Sequence, residues 1–466
     1  MAGLNGLASL NLRQGWVQIM RLLLRLLITV ALLTASVVGI ANAQEKGGFH
    51  YRLQVRVEPA LHRLDAEAWI EQPPSFRFYL YKGLSVHQVT ADGKTVAFHL
   101  DSSAAPLPYT GGSAAVVVDA HDALELHVKY GGEISEVVSG VNLITADLVE
   151  LALYSAWYPV FQGNKDFTFE VEANLPQGYA ITTNGLQKAR REYNGRSITR
   201  WTSYEPGYDI ALLASPHLHQ LEGGVNRTRV EMCYSRLPAQ LMRSEIDGLA
   251  AGMNRLTGLY GPPHVKGILR LAYSPRSGWG YARIPLVIVS EERARWVLSQ
   301  EAGEARDFRG NCHEMAHFWW SISDPVTPDD WINEGLAEFT AFRLTEEHFG
   351  KAFAEKLIAE YRQNASQSKT TSSIAETETT SPDREINRYD KAALMFLKAR
   401  RRFGEEPLDK LLKALHTRFA GTHQATTVIF LKEVRVQMGR EAEAFFREEL
   451  YRKPTVGSGD KTAALN

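Results

Sequence analysis

Residues 313–317 read His-Glu-Met-Ala-His, and Glu334 follows seventeen positions after the second histidine, inside Trp331-Ile332-Asn333-Glu334-Gly335. On a helix, positions i and i+4 share a face, so His313 and His317 can present ring nitrogens to a single metal ion. Glu314 lies about 100° further round. From there it can reach a metal-activated water without being a ligand, the arrangement that hydrolytic zinc chemistry needs. A catalytic zinc takes three protein ligands and keeps a fourth position open, and a carboxylate commonly completes a two-histidine set. Glu334 and Glu338 lie one helical turn apart and both qualify, so spacing does not choose between them. Cys312 adjoins His313 but projects about 100° away from it, which predicts a small buried core residue.

These residues need a buried helix and a second helix brought to it by a short loop. Met315, Ala316 and Phe318 supply apolar flanks for the first. For the second, Thr327-Pro328-Asp329-Asp330 reads as a helix start, with a hydroxyl at N-cap, proline at N1 and acids in the first turn, leading a helix from Trp331 to Phe349. Upstream, from about 49 to 221, short alternating runs such as Tyr51 to Val57, Ala114 to Val118 and Phe167 to Val171 are broken by turn residues, which predicts an all-β sandwich. After Met232 the period becomes helical. Leu237 to Leu259 is amphipathic, and Ile268 to Ala272 and Leu286 to Val289 read as apolar strands. Gln363 to Thr380, rich in Ser, Thr and Gln, is expected to be a loop. Helices are predicted over Asn387 to Phe403, Pro407 to Phe419 and Thr427 to Tyr451, and the last dozen residues as a disordered tail.

Composition bounds the function classes. The chain has 466 residues, 44% of them hydrophobic and 23% charged, with 52 Lys plus Arg against 53 Asp plus Glu. That length calls for more than one domain. The charge balance argues against nucleic acid as a partner. Two cysteines, Cys233 and Cys312, exclude a disulfide scaffold. Arg13, Arg21 and Arg25 precede an apolar run from Leu26 to Ile40, and Ala41-Asn42-Ala43 has the small-x-small form of a signal-peptidase site. Export with cleavage after Ala43 is therefore expected, to a periplasmic or extracellular site, with membrane association only if this segment is retained as an anchor.

His-Glu-Met-Ala-His followed by Trp-Ile-Asn-Glu-Gly-Leu-Ala-Glu-Phe resembles the membrane alanyl aminopeptidase (aminopeptidase N) family of zinc peptidases, whose members carry His-Glu-x-x-His and then Trp-Leu-Asn-Glu-Gly-Phe-Ala. The resemblance extends to Tyr389-Asp390-Lys391-Ala392-Ala393, similar to the family's Tyr-Glu-Lys-Gly-Ala. It extends more weakly to Trp157-Tyr158-Pro159 and to Pro176 through Gly185 in the β region. It implies one zinc ion held by His313, His317 and Glu334, with Glu338 as a supporting acid, Glu314 as general base and acid, and Tyr389 as stabiliser of the oxyanion. The implied fold is multidomain α+β: a signal peptide (1–43), an all-β domain (44–225), a thermolysin-like, mainly α catalytic domain with a small β-sheet (226–405), a short helical segment (406–453) and the tail (454–466). The implied function is that of a zinc metallopeptidase acting on peptides, with export expected from the leader.

Two departures bear on these expectations. The loop between His317 and Glu334 is two residues shorter than is usual in that family, a tolerable deletion. The second concerns substrate. The family's Gly-x-Met-Glu-Asn motif holds the free amino group of the peptide through its glutamate, but the matching segment here is Gly278-Trp-Gly-Tyr-Ala-Arg-Ile-Pro285. Gly280, Tyr281 and Arg283 become the candidate substrate-binding residues, on an edge strand that an extended peptide could join. A cation at Arg283 repels an ammonium and attracts a carboxylate, unless it is paired internally. Glu150 is a candidate replacement acid. The alternatives to an aminopeptidase are an endopeptidase or carboxylate-recognising peptidase, and a zinc-containing peptide-binding protein with weak turnover.

Overall fold

The computed structural model describes residues 48–163, 166–224, 229–264 and 268–453. The leader read at residues 1–43 and the tail at 454–466 lie outside the described residues. Alternation in the first half becomes strands as the period-two pattern requires. In Phe49–Glu58, Tyr51, Leu53, Val55 and Val57 are buried while Arg52, Gln54 and Arg56 face outward. This strand pairs antiparallel with Arg63–Glu71 inside a sheet of eight, beside smaller sheets of three and four strands. Among the described residues the β-rich region holds only single-turn helices, at Pro59–Leu61 and Leu153–Ser155.

A five-stranded sheet opens the helical region, in the order His219–Gly223, Arg229–Tyr234, Ile268–Ser274, Leu286–Ser290, Tyr281–Arg283. The central three strands are parallel and the two edges antiparallel. Every residue of Ile268–Ser274 is buried, as expected of a strand covered on both faces. Among the described residues no helix is long and apolar enough to cross a membrane.

Two helices form the centre of this region. The Gly303–Ala316 helix carries the His-Glu-Met-Ala-His motif and ends with His317 as its C-terminal cap residue, still in right-handed helical geometry. Phe318, Trp319 and Trp320 turn the chain at that point. All three are buried, with the indoles donating to Gly261 O at 2.9 Å and Thr340 Oγ1 at 2.8 Å. The Trp331–Phe349 helix is buried all round from Trp331 to Thr345, Glu334 alone being partly accessible. A helix of that kind lies in the middle of a core rather than on its surface.

Four local expectations are corrected. Thr327 does not cap the second helix. Its hydroxyl donates to Asp324 O at 2.9 Å, and Pro328–Asp330 form a 3-10 turn before the α-helix begins at Trp331. The helix expected from Asn387 opens instead as a π-helix, Ile386–Lys391, continuing as Ala392–Phe403. Thr427 to Tyr451 is two helices, Thr427–Met438 and Arg440–Tyr451, separated at Gly439, whose φ of 89° interrupts the hydrogen-bond ladder. The polar segment from Gln363 continues the Lys351–Gln367 helix before it becomes loop. Leu408, Leu412, Phe430 and Phe446, from the helices after residue 405, belong to the same continuous core as Trp319, Trp331 and Ala392.

Gly335 sets how closely the second helix approaches the start of the Ala392–Phe403 helix: a Cβ built there would stand 2.6 Å from the Ala392 Cβ. Gly335→Ala is expected to destabilise the fold by about 1–3 kcal/mol through overpacking, read as a lower urea midpoint. An unchanged midpoint would show that the contact yields freely.

Candidate metal centre

His313 Nε2, His317 Nε2 and Glu334 Oε2 converge. The two ring nitrogens are 3.3 Å apart, and the carboxylate oxygen is 3.2 Å from the first and 3.6 Å from the second. Three donors bound to one tetrahedral ion at roughly 2.0–2.1 Å would stand about 3.3 Å from one another. Among the described residues this is the one group of three or more His, Cys, Asp or Glu side chains close enough to hold a metal. Glu334 Oε2 is buried without a hydrogen-bond partner, a costly state for a carboxylate oxygen unless a cation occupies the gap. The donor set fits a metal ion on distance and on chemistry.

The remaining ring nitrogens face outward from this triangle. His317 Nδ1 is 3.4 Å from Trp320 O, and His313 Nδ1 is 3.2 Å from Glu338 Oε1, an ion-pair distance without the alignment of a full hydrogen bond. Such outer contacts orient ligating imidazoles and choose which nitrogen binds. Glu338 is ion-paired in turn with Arg309, which also donates to Tyr361 at 2.8 Å. The two acids that spacing left equivalent are thus separated by tertiary contacts: Glu334 completes the triangle, and Glu338 stands behind His313.

Electrostatics follow from this packing. Burial works against charge on His313, but Glu338 and Glu334 overcome it and hold the imidazole pKa well above its ordinary value. Burial likewise raises Glu338, yet Arg309 and His313 bring it down to about 2. For Tyr389 burial is the larger cause and Glu334 the next, both pushing the phenol far above its usual range and keeping it protonated. Its ring lies 5.6 Å from that of His313, nearly parallel to it. Glu314 is half-buried and has no hydrogen bond or ion pair among the described residues. Cys312 is buried and its thiol is pushed up by burial, so it stays a core residue.

The segment proposed for substrate is occupied otherwise. Tyr281–Arg283 is an edge strand, but the Tyr281 side chain is buried and donates to Glu150 Oε1 at 3.0 Å. Gly280 packs tightly, a Cβ there meeting Ile288 O at 3.0 Å. Arg283 is buried, ion-paired with Asp209 and surrounded by the rings of Tyr154, Tyr208 and Tyr281 at 4.8 to 5.1 Å. It is the internally paired strand residue rather than an open cation. Glu150 is fully buried and engaged by Arg276 at 2.6 and 2.8 Å, so it offers no open acid either. These side chains contact the β-rich region, whereas His313, His317, Glu334 and Tyr389 come together.

Several positioning residues had no pattern to reveal them. Asn333 accepts from the amides of Ile322 and Ser323, each at 3.0 Å, and donates to Ser323 O and Asp330 Oδ1 at 3.0 Å, pinning the shortened loop against the helix that bears Glu334. Arg388, fully buried beside Tyr389, donates to Asp330 Oδ2 at 2.7 Å and to Thr327 O and Thr377 O. Asn387 donates to Thr377 Oγ1 at 2.7 Å. The tyrosine is therefore held from both preceding residues. A charged residue next to the tyrosine was the available signal, but its partner lies 58 positions away.

A β-rich region followed by a helical region is the two-domain fold of the M1 zinc metallopeptidases that this chain resembles. The M1 zinc metallopeptidase of Deinococcus radiodurans, in a point-mutant form, superposes with a TM-score of 0.65 at 19% identity, over 87% of this chain and 95% of that one. A form of it bound to a Tyr-Ser-Ala substrate gives 0.64 at 19%, with the same coverage. Yeast LTA4 hydrolase gives 0.62 at 14% identity, over 88% of this chain and 68% of that one. In sequence, human aminopeptidase RNPEPL1 is 23% identical over 190 residues, 40% of this chain and 25% of that protein, so the match spans only a quarter of the curated relative's length. No family model matches the chain.

Two outcomes are expected. Glu338→Gln keeps the fold but weakens metal affinity by about 10- to 100-fold, measured by competition with a chromogenic chelator; unchanged affinity would leave Glu338 without a role in the site. Glu338 and Glu334 hold the His313 pKa well above its ordinary value, so metal uptake competes with a proton there. Calorimetry in buffers of different ionisation enthalpy should therefore find proton release on metal binding at pH 7, with the apparent metal affinity falling as pH falls. Zero release would mean that His313 is already neutral.

Proposed function

We propose that the chain is a zinc-dependent metallopeptidase with an aminopeptidase-like fold, acting on peptides outside the cytoplasm. The observation that carries this reading is the 3.2–3.6 Å triangle of His313, His317 and Glu334 with Tyr389 beside it. Two imidazoles and a carboxylate are a usual ligand set of a hydrolytic zinc site. Support also comes from the substrate-bound form of the Deinococcus protein, and from the N-terminal leader for export to a periplasmic or extracellular site.

When bound, zinc supplies Lewis acidity toward the scissile carbonyl and acidifies water at the site. The chain's own residues do the rest. Glu314 projects from the turn between the two histidines with its carboxylate unengaged, and so is free to take a proton from the attacking water and return it to the leaving amine. Tyr389, kept protonated, donates its hydroxyl to the oxyanion that develops on the carbonyl. Asn333, Arg388 and Glu338 hold these groups without touching substrate.

The fold is that of aminopeptidases, yet the edge strand offers no free carboxylate for an ammonium group, since Glu150 is engaged by Arg276 and the position of Arg283 carries a cation already paired with Asp209. Dependence on a free amino terminus is therefore expected to be weak. Mass-spectrometric digestion of a peptide mixture with free and acetylated amino termini should show less than about a tenfold penalty for acetylation. A strict requirement for the free amine would restore an ordinary aminopeptidase.

Glu314→Gln is expected to retain one zinc per chain and lose hydrolysis, and Tyr389→Phe to lower kcat by roughly 10²–10³ with little change in KM. Wild-type turnover by a zinc-loaded Glu314→Gln protein would contradict the mechanism. Stoichiometric zinc in the wild-type protein with no cleavage of any peptide would favour a binding protein instead.

A further inference from the structure

Arg384 is a charged neighbour of the metal site that the mechanism leaves unused. Arg384 stands just before the π segment, its side chain 28% exposed. Its Nη2 is 3.9 Å from Glu334 Oε1 and 3.9 Å from Asp330 Oδ2, and its guanidinium carbon lies 5.6 Å from the centre of the Tyr389 ring. The same ring lies 5.6 Å from His313. Arg384 is thus the partly solvent-open member of a group of side chains that begins at a metal ligand.

Its donors are largely unspent. The one hydrogen bond of the guanidinium is from Nη1 to Glu385 Oε1, at 2.8 Å. Glu385 is 74% exposed, and an ion pair in that setting is worth little. The two buried acids nearby are committed elsewhere: Asp330 to Arg388 and Asn333, and Glu334 to the metal triangle. A bound metal would take up the negative charge of Glu334, leaving Arg384 with less compensation than before. A planar, partly exposed guanidinium with free N–H groups is suited to binding a carboxylate. The opposite charge is not on offer, because Glu150 and Asp209, the acids at the edge strand, are sealed by Arg276 and Arg283.

We propose that Arg384 is a specificity-determining residue that binds a carboxylate of the peptide substrate close to the scissile bond, displacing Glu385. This rests on the peptidase reading above. The carboxylate has two sources, an acidic side chain or the free carboxyl terminus of a short peptide, and both present the same group to the guanidinium. A charge-assisted pair of this kind replaced by a neutral amide loses roughly tenfold or more in affinity.

The test uses the zinc-loaded full chain and two matched peptide series. In one, Glu is replaced by Gln at each residue flanking the scissile bond; in the other, the free carboxyl terminus is replaced by an amide. At least one acid arm should exceed its amide by about tenfold or more in kcat/KM, mainly through KM, and the arm that does so identifies the source of the carboxylate. In Arg384→Gln, with its zinc content checked, that ratio should fall to near one; Arg384→Lys should restore part of it. No preference in either arm, or a ratio unmoved in Arg384→Gln, overturns the proposal. If the wild-type chain cuts no peptide, the hydrolytic reading fails separately. The carboxylate site is then read by titrating the same peptides into the zinc-loaded Glu314→Gln protein with and without Arg384→Gln. Tighter binding of the acid arm, lost with Arg384→Gln, supports the proposal, and equal affinities overturn it.

Discussion

Two carboxylates one helical turn apart address the two nitrogens of one imidazole. Glu334 lies 3.2 Å from His313 Nε2, and Glu338 lies 3.2 Å from His313 Nδ1. Burying two anions on one helix is unfavourable unless each meets positive charge. Arg309 supplies it for Glu338, and a bound metal would supply it for Glu334, whose other oxygen lies 3.9 Å from Arg384. Much of the rest of the helical region can be read as what is needed to hold this arrangement away from bulk water.

That holding is done by groups that take no part in the chemistry. The Trp331–Phe349 helix is buried almost all round from Trp331 to Thr345 and carries both acids through the middle of the core. Asn333 ties the loop after the histidines to this helix, and Asp330 receives Arg388 from the segment that carries Tyr389. Gly335 lets Ala392 approach closely. The π-helix at Ile386–Lys391 belongs to the same scheme: a π turn inside a helix redirects a side chain without moving the flanking turns, and such turns are often found at functional sites.

The elements set by local pattern were legible in the sequence. The i, i+4 histidines and the alternating strands follow from periodicity, the Trp331–Phe349 helix from the proline and acids at its start, and the resemblance to zinc aminopeptidases picked Glu334 over Glu338. What escaped were pairings across long sequence separations: Arg309 with Glu338, Arg276 with Glu150 and Arg388 with Asp330 leave no periodic trace. Arg283 shows the same limit from the other side. As a bare residue on an edge strand it suggested a cation for substrate, and only the approach of Asp209, 74 positions earlier, neutralises it. Thr327 had every local mark of an N-cap and was taken by Asp324, because side-chain hydroxyls bond whichever backbone group is nearest. At Gly439 the helical periodicity runs through the break, so only the backbone conformation exposes it.

The account turns on a division of labour between the two acids, and it fixes which nitrogen of each histidine faces the metal. The direct measurement is heteronuclear NMR of the protein labelled with ¹⁵N-histidine and loaded with ¹¹³Cd in place of zinc. The account predicts metal–nitrogen coupling to Nε2 of both His313 and His317, with a slowly exchanging Nδ1 proton on His313 directed to Glu338. Coupling to Nδ1 of His313, or no coupling to either ring, would contradict it.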